Sequence, residues 1–199
     1  MNKAYSAACD KNRDPILSIL HGLFSGCRSV LEIGSGTGQH AVYFAKHLPH
    51  LVWHTSDIRQ NHADINRWLA EAGLDNVMPP LELDVTFSQW PEFTLDAVFS
   101  ANTAHIMHWP AVESFIPGVA RILPAHGLFV LYGPFNYNGR YTSASNAEFD
   151  VWLKQRDPES GIRNFEDLDR LAVASGMILK EDYTMPANNR LLVWEKVNL

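Results

Sequence analysis

Two hydrophobic periods alternate along the chain. Short apolar runs of strand length occupy residues 29–33, 51–56, 81–83, 95–101 and 127–132. Between them, residues 15–24, 39–48, 61–72 and 111–123 carry apolar side chains at helical spacing. Nearly continuous apolar strands separated by helices predict a parallel sheet covered on both faces. Asp14 before Pro15 reads as an N-cap followed by proline at the first helical position. Gly73 reads as a helix stop and Trp109-Pro110 as a helix start. Past the fifth strand, residues 146–155 and 165–175 read as helices. Residues 177–183 and 190–196 read as a closing hairpin, with Asn188 and Asn189 in its turn. There is no internal repeat and no low-complexity stretch. The expectation is one domain over 1–199, with residues 1–28 as an N-terminal lid and helix and residues 135–163 as an insertion shaping an acceptor pocket.

Composition narrows this picture. The 199 residues are 46% hydrophobic and 19% charged, which suits one compact domain with a real core. No apolar run approaches a membrane span, and the first residues lack the apolar block of a secretory signal. Cys9 and Cys27 make neither a disulfide framework nor a metal cluster, so a cytoplasmic protein with free thiols and no metal is expected. The formal net charge is -6 and no Lys/Arg-rich run is present, which disfavours nucleic acid as partner and favours a small molecule. A monomer or a homodimer is expected.

The chemistry concentrates at strand ends. The first strand runs into Gly34, Ser35, Gly36 and Gly38, and a helix follows. Such a turn lets backbone approach a ligand closely and points a helix N-terminus at it. The spacing is G-x-G-x-G, not the G-x-G-x-x-G of dinucleotide folds. Glu32, two residues before the first glycine, is awkward for a pyrophosphate and suits a cofactor with a cationic sulfonium and an α-amino group. Asp57 and its neighbour Ile58 end the second strand, where a carboxylate can accept from both ribose hydroxyls. Asp84 and Val85 end the third, where an acceptor can take the exocyclic amine of adenine.

The ordered set Glu32, Gly34, Gly36, Gly38, Asp57, Asp84 resembles the class I S-adenosylmethionine-dependent methyltransferases. That resemblance implies a three-layer αβα Rossmann-like fold, S-adenosyl-L-methionine as cofactor, and a seven-stranded, mostly parallel sheet of order 3-2-1-4-5-7-6 with an antiparallel last strand. Further stretches resemble the methyltransferase-like protein twenty-six family: residues 11–17, 102–106, 133–135, 142–146, 161–163 and 185–189. It implies the same fold and cofactor and supplies no substrate.

A methyl acceptor is expected beyond the fourth and fifth strand ends. Asn102 and His105 follow the fourth strand; His105 is the first candidate for a general base or orienting group and His108 the second. Asn102 is also placed to bond the cofactor. No Asn/Asp-Pro-Pro-aromatic run of amino-methylating DNA enzymes is present at this site. Tyr5, Asn12 and Arg13 belong to the expected lid, Arg13 as a partner for a carboxylate of cofactor or substrate. Phe135, Tyr137 and Tyr141 are expected to wall the acceptor pocket, with Arg140 or Arg163 offering charge. The function expected is direct, metal-free methyl transfer to an O, N or S atom of a small molecule. The alternatives are a non-catalytic S-adenosylmethionine-binding module supporting a partner and an NAD(P)-dependent oxidoreductase.

Overall fold

A computed structural model describes residues 3–87 and 89–198. The first two residues of the expected 1–28 unit therefore lie outside the described residues. The chain runs α1 (Ala7–Leu23), β1 (Ser29–Ile33), α2 (Gln39–His47), β2 (Val52–Asp57), α3 (His62–Ala72), β3 (Val77–Glu82), β4 (Ala97–Ala101), α4 (Trp109–Ile122) and β5 (Leu128–Gly133). It continues with β6 (Phe135–Asn136), α5 (Ala144–Arg156), β7 (Arg163–Asn164), α6 (Phe165–Ala174), β8 (Met177–Met185) and β9 (Asn189–Lys196).

The main sheet has the order β3-β2-β1-β4-β5-β9-β8. β1 to β5 are mutually parallel, and β9 runs antiparallel to β5 and β8. This is the αβα Rossmann-like arrangement expected, since β6 and β7 form a separate two-stranded ladder. Strand residues alternate between two cores. Val30, Phe99, Val130 and Val193 pack under α1 and α2 with Ile16, Leu20, Phe24 and Phe44. Leu31, Val98, Leu131 and Leu192 pack under α4 and α6 with Val112, Phe115, Ile116 and Leu168. Full burial of each such side chain contributes about 1.5–3 kcal/mol, which is why these strands read as unbroken apolar runs.

Two boundaries differ most from the sequence expectation. Helix α1 begins eight residues before Pro15, capped by Ser6, whose hydroxyl accepts from the Cys9 amide at 3.4 Å. Pro15 thus lies inside the helix, not at its start, and Asp14 is no N-cap. β3 spans Val77–Glu82 and runs through Pro79 and Pro80. Prolines are tolerated there because β3 is an edge strand. In the hairpin turn Asn188 is left-handed (φ 59°), but Ala187 (φ 58°), not Asn189, is the second such residue. Among the described residues no helix is long and apolar enough to cross a membrane.

Candidate functional site

The C-terminal ends of β1, β2, β3, β4 and β5 converge on the glycine loop. Gly34 has φ +76°, and a Cβ built on it would lie 2.5 Å from Thr103 Cγ2 in the β4-end loop. Glycine is required there by both backbone and contact. The amides of Gly34 and Ser35 both donate to the Ser56 carbonyl at 3.0 Å. Gly36 N–H donates to Asp57 Oδ2 at 2.7 Å, and Gly38 N–H to the Ser35 carbonyl at 2.8 Å. These four loop amides are engaged within the loop and with β2. What the loop brings to a ligand is therefore less a cradle of free N–H groups than the carboxylates around it.

Glu32 lies beneath that loop, 2% exposed. Trp53 Nε1 donates to its Oε2 at 3.2 Å. Among the described residues no Lys, Arg or His pairs with it. Burial raises its pKa; hydrogen bonds from Trp53 and Ser35 oppose the rise, Asp57 adds to it, and the result is about 7. Asp57 is also largely enclosed. Its Oδ1 accepts from the Ile58 amide and from Asn61 Nδ2, both at 2.8 Å. His62 Nε2 meets its carbonyl at 3.0 Å. The carboxylate expected to meet a ribose thus also ties the loop to β2.

Asp84 Oδ1 accepts from the amide and hydroxyl of Thr86, at 2.9 and 2.6 Å. It shares a cleft of about 480 Å³ with Ile58, Arg59, Gln60, Glu82, Phe87 and Gln89. Ile58 and Phe87 are 41% and 67% exposed, so apolar surface borders an acidic acceptor. Val85, named with Asp84 from sequence, sends its side chain into the core. Phe87 carried no sequence signal beyond its closeness to Asp84.

The N-terminal segment closes over the loop from the other side. Ser6 N–H donates to Gln39 Oε1, Gln39 Nε2 returns a bond to the Ser6 carbonyl at 3.3 Å, and Trp68 Nε1 donates to the Ala4 carbonyl at 2.8 Å. Tyr5 is 62% exposed and bonds Asp10. Asn12 is buried and its Oδ1 meets His40 Nε2 at 2.7 Å. Burial, and then the Arg13 charge, lower the His40 pKa to about 4. No spacing rule links Asn12 to a histidine 28 residues away, which is why His40 was missed. Arg13 donates through one terminal nitrogen to Asp10 at 2.7 Å and stacks 4.6 Å from the Tyr43 ring centroid on α2, while its Nε is buried without a hydrogen-bond partner.

The β4-end loop is rigidly held. Asn102 is left-handed (φ 58°), its amide donating to the Tyr132 carbonyl at 2.8 Å. His105 is 6% exposed and meets Phe149 edge-on at 5.3 Å. Burial, and then Arg163, lower its pKa to about 4, below the near-neutral value expected of an ordinary histidine. Arg163 donates to the carbonyls of Ala104 at 3.1 Å, Glu159 at 2.9 Å and Met107. It braces the His105 turn rather than offering free charge. His108 points elsewhere, pairing with Asp157 at 2.7 Å on the surface.

The aromatics after β5 divide by role. Phe135 is buried in the core. Tyr137 stacks on Phe165 at 5.2 Å and donates to Asp182 at 2.7 Å, stapling its loop to α6 and β8. Tyr141 is 44% exposed and donates to the buried Asp150, which also accepts from Lys154 and the Ile162 amide, both at 2.6 Å. Among the described residues no group of three His, Cys, Asp or Glu is placed to hold a metal ion.

Residues 3–196 match the family model described as a protein of unknown function, DUF938, and the chain belongs to that family. Solved structures with the same fold include an O-methyltransferase family protein from Burkholderia thailandensis, 14% identical, with a TM-score of 0.83 over 93% of this chain and 56% of that one. The S-adenosylmethionine-dependent methyltransferase SibL in its apo form is 19% identical, with a TM-score of 0.82 over 96% and 56%. PigF, solved with SAH, is 18% identical, with a TM-score of 0.78 over 92% and 55%. The chain spans about half the length of these proteins. At such identities the likeness establishes the fold.

Proposed function

We propose that the protein is an S-adenosyl-L-methionine-dependent methyltransferase acting on a small-molecule O, N or S acceptor by direct displacement, without metal. The observation that carries this reading is Glu32: a carboxylate enclosed under a glycine loop, with no cation paired to it among the described residues, is a site made for a cationic ligand. The sulfonium of this cofactor supplies such a charge and carries the activated methyl group. Asp57 fits the ribose hydroxyls, and the cleft of Ile58, Asp84 and Phe87 fits an adenine ring with its exocyclic amine on Asp84. The resemblance to the methyltransferase-like protein twenty-six family supports the same reading, as do relatives of like fold named as O-methyltransferases.

On this reading the protein aligns the acceptor and excludes water. Asn102 bonds the acceptor or the methionine end of the cofactor. His105 is neutral above about pH 5 and orients an acceptor hydrogen or accepts its proton. The described part of the lid, residues 3–28, closes the cofactor side, and residues 135–163 border the acceptor side. Isothermal titration with S-adenosylmethionine and S-adenosylhomocysteine tests it: binding of both in the micromolar range is expected, and binding of neither at millimolar concentration overturns it. An NAD(P) site is disfavoured by the engaged loop amides, which a pyrophosphate would need. A cofactor-binding module without turnover draws on one observation, the burial of His105. Labelled cofactor with a metabolite extract separates the two, since only an enzyme gives a labelled product that His105→Ala or Asn102→Ala diminishes.

A further inference from the structure

Resting on that reading, we propose that Glu32 is the counter-charge to the sulfonium and takes up a proton when methyl transfer removes the positive charge, so that the site grips the cationic cofactor and loosens on the neutral thioether product. The inference goes beyond cofactor recognition to how the site resets after each turnover.

The surroundings of Glu32 leave it no other compensation. From β2 come the Trp53 indole at 3.2 Å and the negative Asp57. From the loop comes the Ser35 hydroxyl. Its register partner on β4 is Phe99, an apolar ring. From α1 comes Cys9, whose thiol is pushed up by burial and, further, by the charge of Glu32 itself. On α2, His40 is occupied elsewhere, stacked on Phe44 at 5.2 Å, edge-on to Phe99 at 6.4 Å and bonded to Asn12, and burial keeps it neutral at physiological pH. Arg13 is held by Asp10. Two hydrogen-bond donors and no cation face the carboxylate among the described residues. Such a group holds its proton near pH 7 until a positive charge arrives within a few ångströms, which lowers a carboxyl pKa by about 1–3 units.

The charge balance closes. Transfer breaks the bond between sulfur and the methyl carbon, leaves its electron pair on sulfur, forms the bond to the acceptor heteroatom and frees the proton that heteroatom carried. The cofactor loses one positive charge and one proton is released. Uptake of one proton by Glu32 returns the enclosed site to neutrality.

The test is titration calorimetry of the whole chain with S-adenosylmethionine and S-adenosylhomocysteine at pH 6, 7 and 8, in two buffers of different ionisation enthalpy. S-adenosylmethionine is expected to release more protons on binding at pH 6–7 than S-adenosylhomocysteine. The affinity ratio of the two should rise about fivefold from pH 6 to pH 8, as expected for a shift of about one pKa unit from near 7. Glu32→Gln should flatten that rise. Its ligand-free melting temperature, relative to the native chain, should climb as pH rises above 7. Equal proton release and a constant ratio in the native chain overturn the inference while leaving the proposed function standing. Binding of neither ligand overturns both. If Glu32→Gln does not fold, the native ratio and proton counts decide the matter alone.

Discussion

At the scale of single residues, three buried titratable groups set opposite pH responses. Glu32 is raised from 4.5 to about 7, so its protonated form is the favoured one in the folded chain. Its contribution is complete below the unfolded value and is lost as pH rises through 7. Glu32→Gln is therefore expected to stabilise the ligand-free protein at pH 8 by up to about 3 kcal/mol, with little change at pH 5; denaturant midpoints at the two pH values check it. His40 and His105 are lowered from 6.5 to about 4. Their contribution is complete above 6.5 and is lost as pH falls through 4. If His105 serves as base, it should add no ionisation limb of its own to kcat/KM between pH 6 and 8, because the imidazole is already neutral there, and the limb that Glu32 gives near 7 should persist in His105→Ala; a limb at 6.5 that vanishes in that variant would contradict it. The acids at the strand ends were legible because each terminates an apolar run. The protonation state of Glu32 was not, since it is set first by burial under the glycine loop, against which the Trp53 hydrogen bond works, and the low value of His105 comes first from burial and then from Arg163, 58 residues away in sequence.

At the scale of elements, the glycine loop and the β4-end loop form one unit. Gly34→Ala places a methyl group against Thr103 at a positive φ, and a loss of about 1–3 kcal/mol is expected, together with weakened cofactor binding. Thermal unfolding and calorimetry read both, and a fully stable variant with native affinity would show that the two loops yield independently. Arg163→Ala leaves the carbonyls of Ala104, Met107 and Glu159 without their donor and should cost about 2–3 kcal/mol. It should also speed hydrogen exchange of the Gly161 amide, which donates to the His105 carbonyl. The alternation of strands and helices was readable because both sheet faces are covered. The start of α1 was not, because a proline at the first helical position and a proline in mid-helix look alike until the Ser6 cap is seen. Where Phe135, Tyr137 and Tyr141 were expected to wall a pocket, Phe135 lies in the core and the hydroxyls of Tyr137 and Tyr141 are bonded to Asp182 and Asp150, partners that the aromatic pattern does not reveal.

At the scale of the whole molecule, acid should unfold the chain in a defined window. The two buried histidines together make stability fall between pH 6.5 and 4, and His40→Gln should remove a large part of that slope; urea titrations across the range measure it. The two rims of the sheet also differ in how they can meet another chain. On the β3 rim, Pro79 and Pro80 place two consecutive residues without an N–H in the outermost strand. A strand arriving there finds an interrupted ladder, so this side, which carries the Asp84 cleft, resists templated aggregation without help from charge. The opposite rim, β8, is nine residues long with Ile178 and Leu179 exposed, and a register irregularity between Leu179 and Glu181 and the exposed charges of Lys180 and Glu181 disturb it only in its middle. Misassembly by strand addition is thus steered to the rim farthest in strand order from the Asp84 cleft.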